Sequence, residues 1–167
     1  MLDENQIASN WETLIKFIED SFTGDRKDGL LKLYEAHADR IATAPASNRI
    51  YFHSAFIGGY VYHVLNVIRI SQRMSKLWNS LSPSETYTEE ELNFVALNHD
   101  LGKIGDVDNE YYIPNTTNDW KYKHGSVFDF NENISFMKIQ DRSLFLLQHY
   151  GVKVSHNEYV GITTHDG

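Results

Sequence analysis

The stretch Thr88-Glu89-Glu90-Glu91-Leu92-Asn93-Phe94-Val95-Ala96-Leu97-Asn98-His99-Asp100-Leu101-Gly102-Lys103-Ile104-Gly105 decides how this chain is read. Thr88 and Glu91 form a capping box, a hydroxyl and a carboxylate three residues apart that satisfy two free N–H groups at a helix start. The helix so opened places Leu92, Val95, Ala96 and His99 at i, i+3, i+4 and i+7, which puts His99 on the buried stripe. Gly102 and Gly105 then break it. A histidine and an aspartate adjacent at the inner end of an apolar helix cannot both face solvent, and a buried carboxylate needs a partner charge or strong hydrogen bonds. A divalent metal would answer that need with imidazole nitrogen and carboxylate oxygen as ligands. The competing reading is a histidine complementing the helix dipole and an aspartate capping the next turn. A third ligand from elsewhere has to decide between them.

Outward from this stretch the periodicity is helical throughout. Ile7, Trp11, Leu14, Ile15, Ile18 and Phe22 mark a first helix, closed by Thr23-Gly24-Asp25, and a second is expected over about 28–42 with Leu30, Leu31, Tyr34, His37 and Ile41 on one side. Residues 51–78 read as a long helix or a turn feeding one, with Gly58-Gly59 near its start. Asp141 to Tyr150 is amphipathic through Leu144, Phe145 and Leu147, with Gly151 as C-cap. A second capping box, Ser155 to Glu158, opens a last helix with Tyr159 and Ile162 inward and His165-Asp166 a turn further on. Residues 109–133 differ, being rich in Tyr, Trp, Asn and Gly. Tyr111-Tyr112-Ile113 and Trp120-Lys121-Tyr122 alternate like short strands, so a hairpin-like insertion is expected in an all-α fold.

The 167 residues suit one domain, with N-terminal helices over 1–43 and the remainder over 44–167. Forty-one per cent hydrophobic and 13% aromatic residues can build an ordinary core. A formal charge of −8 argues against extended nucleic acid as a partner, while leaving room for a pocket for a small anion. The chain has no cysteine, which excludes disulfides, thiolate metal sites and a cysteine nucleophile. No apolar run approaches the roughly 20 residues needed to span a bilayer, so no membrane partner and a cytoplasmic location are expected. No serine sits in a nucleophile elbow and no Walker-type loop occurs.

Eight histidines in a chain without cysteine carry most of the remaining information. His63 is the third ligand candidate. It lies among apolar residues on a predicted helix, behind two glycines that cost stability at a helix start unless backbone or ligand approaches closely. A core histidine bonded to a backbone carbonyl is the alternative. His63 followed by His99-Asp100-Leu101-Gly102-Lys103-Ile104 resembles the HD-domain superfamily of metal-dependent phosphohydrolases. The segment from His53 through Gly58-Gly59 to His63 is similar to a histidine–glycine-pair–histidine segment of its phage and bacterial branch. Asp141 to Leu147 and Glu158 to Gly167 look like later helices of phage-encoded members. The similarity covers residues 44–167.

The resemblance implies an all-α HD-type helical bundle holding a divalent metal ion (Mn, Fe, Ni, Co, Mg or Zn) on His63, His99 and Asp100. Asp100 would also help orient the attacking water, and Lys103 would face the substrate phosphate. Arg49 and His53 fall near the implied pocket and are assigned to substrate contact, with His53 and Asp106 as candidates for leaving-group protonation. His165 and Asp166 stand where other branches carry a histidine pair and are candidates for a fourth or second-metal ligand. Ile139-Gln140 replaces a histidine often present in binuclear members, and the end at Gly167 leads to the expectation of a shortened polypeptide. His124, with Lys121 and Lys123, either reaches over the pocket toward phosphate or is an exposed hairpin residue. The tyrosines and Trp120 either stack on a base or cover apolar surface. His37, His149 and His156 read as a packed helix residue, a dipole partner and a solvent-facing residue.

The function implied is hydrolysis of a small phosphate ester, most plausibly a nucleotide or deoxynucleotide, by metal-activated water, in host cytoplasm if the chain is phage-encoded. A homo-oligomer is compatible with the sequence. The alternatives are a binuclear iron oxygenase of the HD type and a catalytically silent nucleotide-binding HD module.

Overall fold

A computed structural model describes residues 2–81, 87–116 and 118–165. Asp166 lies outside the described residues. The fold is all-α, with eight helices and one two-stranded sheet among the described residues. The helices are α1 (Glu4–Ser21), α2 (Gly24–Ala36), α3 (Ala38–Thr43), α4 (Gly59–Leu81), α5 (Glu89–Asn98), α6 (Asp119–Lys123), α7 (Ile139–His149) and α8 (His156–Thr164). A 3₁₀ turn over Leu101–Ile104 follows α5. No helix is long and apolar enough to cross a membrane among these residues.

Both expected capping boxes form, at Thr88 and at Ser155, and Asp3 with Gln6 makes another at the start of α1. One continuous core runs from Leu14 and Ile18 of α1 through Leu30 and Leu33 of α2 and Val61, Val64 and Ile68 of α4. It continues through Phe94 and Leu97 of α5 and Leu146 and Leu147 of α7 to Ile162 of α8. The N-terminal helices thus share their apolar face with the helices that carry His63, His99 and His165.

Four expectations are corrected. The helix expected over 28–42 is two helices, α2 and α3, broken at His37 (φ −119°, ψ 22°). His37 is buried there and its Nε2 lies 2.9 Å from the Tyr150 hydroxyl, a tertiary hydrogen bond that local periodicity does not encode. Trp120-Lys121-Tyr122 is not a strand but lies in α6, capped by the Asn118 side chain accepting from the Lys121 N–H. Tyr159 and Phe145 point outward, 52% and 44% exposed, because the helices they sit on bury the adjoining Glu158, Ile162, Leu146 and Leu147 instead.

The insertion is a hairpin whose strands β1 (Tyr112–Pro114) and β2 (Phe128–Phe130) pair antiparallel, Tyr112 opposite Phe130 and Pro114 opposite Phe128. It is tied to the loop before α4: the N–H groups of Val127 and Phe128 donate to the Asn48 carbonyl, and that of Ile50 to the Gly125 carbonyl.

The last helix is held by charge as well as by apolar contact. Glu158, fully buried, receives Arg26 of α2 at 2.5 Å, and its other oxygen accepts from the Ser155 N–H at 2.7 Å. Arg26 also stacks 4.8 Å over the Phe94 ring and reaches Glu90 of α5 at 3.3 Å. Removing the guanidinium would leave a buried carboxylate without its counter-charge. Arg26→Met is therefore expected to lower unfolding stability by about 3 kcal/mol, read as a lower urea midpoint. A midpoint shift within error would show that α8 does not depend on this pair.

Candidate metal centre

Three helix ends meet at Asp100. Its carboxylate is buried directly after α5, in the turn that feeds the 3₁₀ segment. The Asp100 Oδ2 atom lies 3.3 Å from His63 Nε2 and 3.4 Å from His99 Nε2, and those two nitrogens are 3.2 Å apart. Its Oδ1 atom lies 3.4 Å from Nε2 of His165, which caps the C-terminus of α8. Lys103 donates to Oδ2 at 2.7 Å from one turn further on. The His53 ring packs on that of His63 with centroids 4.3 Å apart, and His53, His63 and Asp100 present ligand atoms within 4.8 Å of one another.

Local sequence explains how these groups arrive. Gly58 adopts φ +80°, and a Cβ on Gly59 would stand 2.0 Å from the Ser54 carbonyl oxygen. This tight approach folds the 54–58 turn onto the start of α4 and returns His53 to His63, so the glycine pair serves close backbone packing. On the other side, a Cβ on Gly102 would stand 2.2 Å from the Ile139 carbonyl oxygen. Here α7 presses on the 3₁₀ turn. Ser143 Oγ accepts from the Gly102 N–H at 2.8 Å, and the buried Arg142 donates to the Gly102 carbonyl at 3.1 Å while stacking on Tyr111 at 4.6 Å. A Cβ on Gly161 would stand 2.8 Å from a Val95 methyl, so α8 lies close enough to α5 for His165, four residues later on the same face, to reach Asp100.

The protonation pattern tests whether a cation belongs here. His99 Nδ1 lies 3.0 Å from the Ala96 carbonyl oxygen, and His165 Nδ1 lies 2.7 Å from that of Ile162. An oxygen acceptor fixes the proton on Nδ1, so each ring turns its Nε2 toward the Asp100 carboxylate, as a proton donor when the ring is charged and as a lone pair open to a metal when it is neutral. Either form needs positive charge between ring and carboxylate, supplied by the imidazolium proton or by a bound cation. The spacing suits a metal ion: ligands about 2.1 Å from a common ion stand roughly 3.0 Å apart at octahedral and roughly 3.4 Å apart at tetrahedral angles. The His63, His99 and Asp100 separations fall within that interval, and a nitrogen and oxygen donor set without thiolate suits a divalent first-row ion. These residues fit a metal.

Electrostatics point the same way. Burial by itself would raise the Asp100 pKa, but the hydrogen bonds offered by His165, His63 and His99 outweigh it and hold the carboxyl well below the usual carboxylate range. His53 is shifted below the usual histidine value by desolvation, then by the neighbouring charges of His63 and Lys103.

These side chains line a cleft of about 380 Å³, together with Val67, Ser71, Leu92, Val95 and Ala96. The structure thus brings together His53, His63, His99, Asp100, Lys103 and His165. It does not bring Arg49 or His124 to the cleft. Arg49 is exposed and bridges through its backbone to Ser126, while the exposed His124 stacks on Trp120 at 4.1 Å with Nδ1 on the Trp120 carbonyl. Asp106 is occupied by the turn that follows, its Oδ1 accepting from the Asp108 and Asn109 N–H groups. The sequence reading missed three positioning residues: Arg142, Ser143 and Gly161. Their signals were a cation inside an apolar helical stripe, a small hydroxyl beside it, and a glycine in mid-helix where it lowers stability. Compared with known proteins, the chain matches no family model, no curated protein and no solved structure.

Two outcomes are expected on calorimetric titration with Mn²⁺ or Zn²⁺. At pH 7.5 the protein binds metal, and His99→Ala weakens binding at least tenfold. On lowering the pH to 5.5 the affinity falls, because protons compete with the metal for the imidazole nitrogens. Binding that is insensitive to both changes would place the ion elsewhere.

Proposed function

We propose that the chain is a metal-dependent phosphohydrolase of the HD-domain type that releases phosphate from a small ester, most plausibly a nucleotide or deoxynucleotide. The observation that carries this reading is the convergence of His63, His99 and Asp100 at mutual distances of 3.2–3.4 Å, with the Lys103 ammonium 2.7 Å from the same carboxylate oxygen. A divalent ion held by these residues supplies Lewis acidity toward a phosphoryl oxygen and acidifies a water at neutral pH.

The protein's own groups do the rest. Asp100 would be a ligand to the ion and would accept a hydrogen bond from the attacking water. Lys103 places positive charge where the equatorial phosphoryl oxygens gain negative charge as the ester bond breaks. His53, stacked on a ligand at the open side of the cleft, is the side chain placed to pass a proton between water and the departing alkoxide. Leu92, Val95 and Ala96 form an apolar wall that limits water around the reacting groups.

A second reading, a binuclear centre with iron-based oxidation chemistry, gains support from the overlap of two donor sets on Asp100. One is His63 with His99 on Oδ2, the other His165, 3.4 Å from Oδ1. Metal counting separates the two readings.

Screening of the metal-loaded protein against phosphorylated metabolites is expected to give phosphate release that His99→Ala abolishes. Lys103→Met should lower kcat by about 10²–10³-fold, as loss of one charge-stabilising group does elsewhere, with metal binding retained. Two irons per chain with oxygen uptake and no phosphate release would reject the hydrolase. Nucleotide binding without turnover at full metal loading would favour a silent binding module.

A further inference from the structure

A second cavity, about 450 Å³, lies between α3, the loop before α4 and the hairpin. Its size falls within the range of about 300–1,000 Å³ in which small-molecule sites occur. The residue common to its lining and to that of the metal cleft is Lys103. The lysine therefore adjoins both spaces, its ammonium on Asp100 and its side chain at the boundary.

The wall opposite α3 is aromatic and braced. Tyr111 and Tyr112 pack edge-on with centroids 4.8 Å apart, and both pack on Phe130, while Arg142 stacks on Tyr111. Phe128, Pro114 and Ile57 extend the apolar surface. Polar groups are few. Asp39 and Glu110 offer carboxylate acceptors, while Arg40 has one guanidinium nitrogen committed to the Asp106 carbonyl at 2.6 Å and the Asn109 carbonyl at 3.3 Å. A flat heteroaromatic group that is apolar on its faces and carries N–H donors on its edge suits such a lining.

We infer that this cavity is the nucleoside pocket of the enzyme, so that the hairpin of residues 109–133 selects a base-bearing phosphate ester whose phosphate lies at Lys103 and Asp100. The inference rests on the hydrolase reading above and adds to it the site that recognises the organic half of the substrate. Discrimination then resides in the insertion and α3, and the metal cleft itself is indifferent to the leaving group.

The test uses the full chain in two arms. In the first, kcat/KM is measured on the metal-loaded protein for adenosine and cytidine monophosphates and for ribose 5-phosphate, which lacks a base. The better nucleotide is expected to exceed the sugar phosphate at least hundredfold. Ile57→Trp, which fills the mouth from a half-exposed position, and Tyr112→Ala are each expected to cut that ratio at least tenfold. Equal turnover of all three esters, or a ratio that neither variant moves, would overturn the pocket while leaving the hydrolase standing. In the second arm, adenosine and cytidine are titrated without phosphate chemistry, followed by tyrosine fluorescence and by NMR of the hairpin resonances. Saturable binding that Ile57→Trp weakens tenfold supports the pocket even if no ester is hydrolysed, in which case only the hydrolase reading falls. Absence of nucleoside binding together with absence of base preference rejects the inference outright.

Discussion

The structure is organised around the need to neutralise one buried carboxylate. Moving an ion out of water carries a penalty of several kcal/mol even after relaxation. Asp100 is buried, and it is surrounded by every group that could compensate it: three imidazoles and an ammonium within 3.4 Å. The imidazoles of His99 and His165 are held by backbone carbonyls at Nδ1 with their Nε2 atoms inward. Such an arrangement could also hold a divalent cation, the chemistry on which the proposed hydrolysis depends.

Bringing those groups together is a backbone problem, solved by absent side chains. Gly59 lets the His53 turn lie against α4, Gly102 lets α7 press on the 3₁₀ turn, and Gly161 lets α8 settle on α5. At each position a methyl group would meet a carbonyl oxygen or a valine within 2.8 Å. Around these contacts sit polar clamps, Arg26 on Glu158 and Arg142 with Ser143 on Gly102, which hold the helix ends once they have closed. The stability of the helices remote from the cleft and the geometry inside it are therefore one property.

Much of this could be read in the chain itself. The capping boxes at Thr88 and Ser155 depend on residues three apart, and the placement of His99 on a buried stripe depends on residues within two turns, so both follow from local geometry. The hairpin's existence was legible from its tyrosines and glycines, although the piece around Trp120 is helical because Asn118 caps it. The break at His37 was not legible; the hydrogen bond made there reaches a tyrosine more than a hundred residues away. Arg49, placed near the pocket by the resemblance, and His124, grouped with Lys121 and Lys123 over it, lie outside the cleft, with their backbones committed to the hairpin.

The sequence by itself determined the all-α class, the start of α5 and α8, and which three residues would have to meet if a metal were bound. These are matters of helical period and of the chemistry of imidazole and carboxylate. Only the tertiary structure decided that His53 and His165 join the group, that Arg142 and Ser143 brace it, and that Lys103 stands between two cavities. Those facts depend on how closely helices approach one another, and that distance is set by packing between segments far apart in the chain, which no local pattern records.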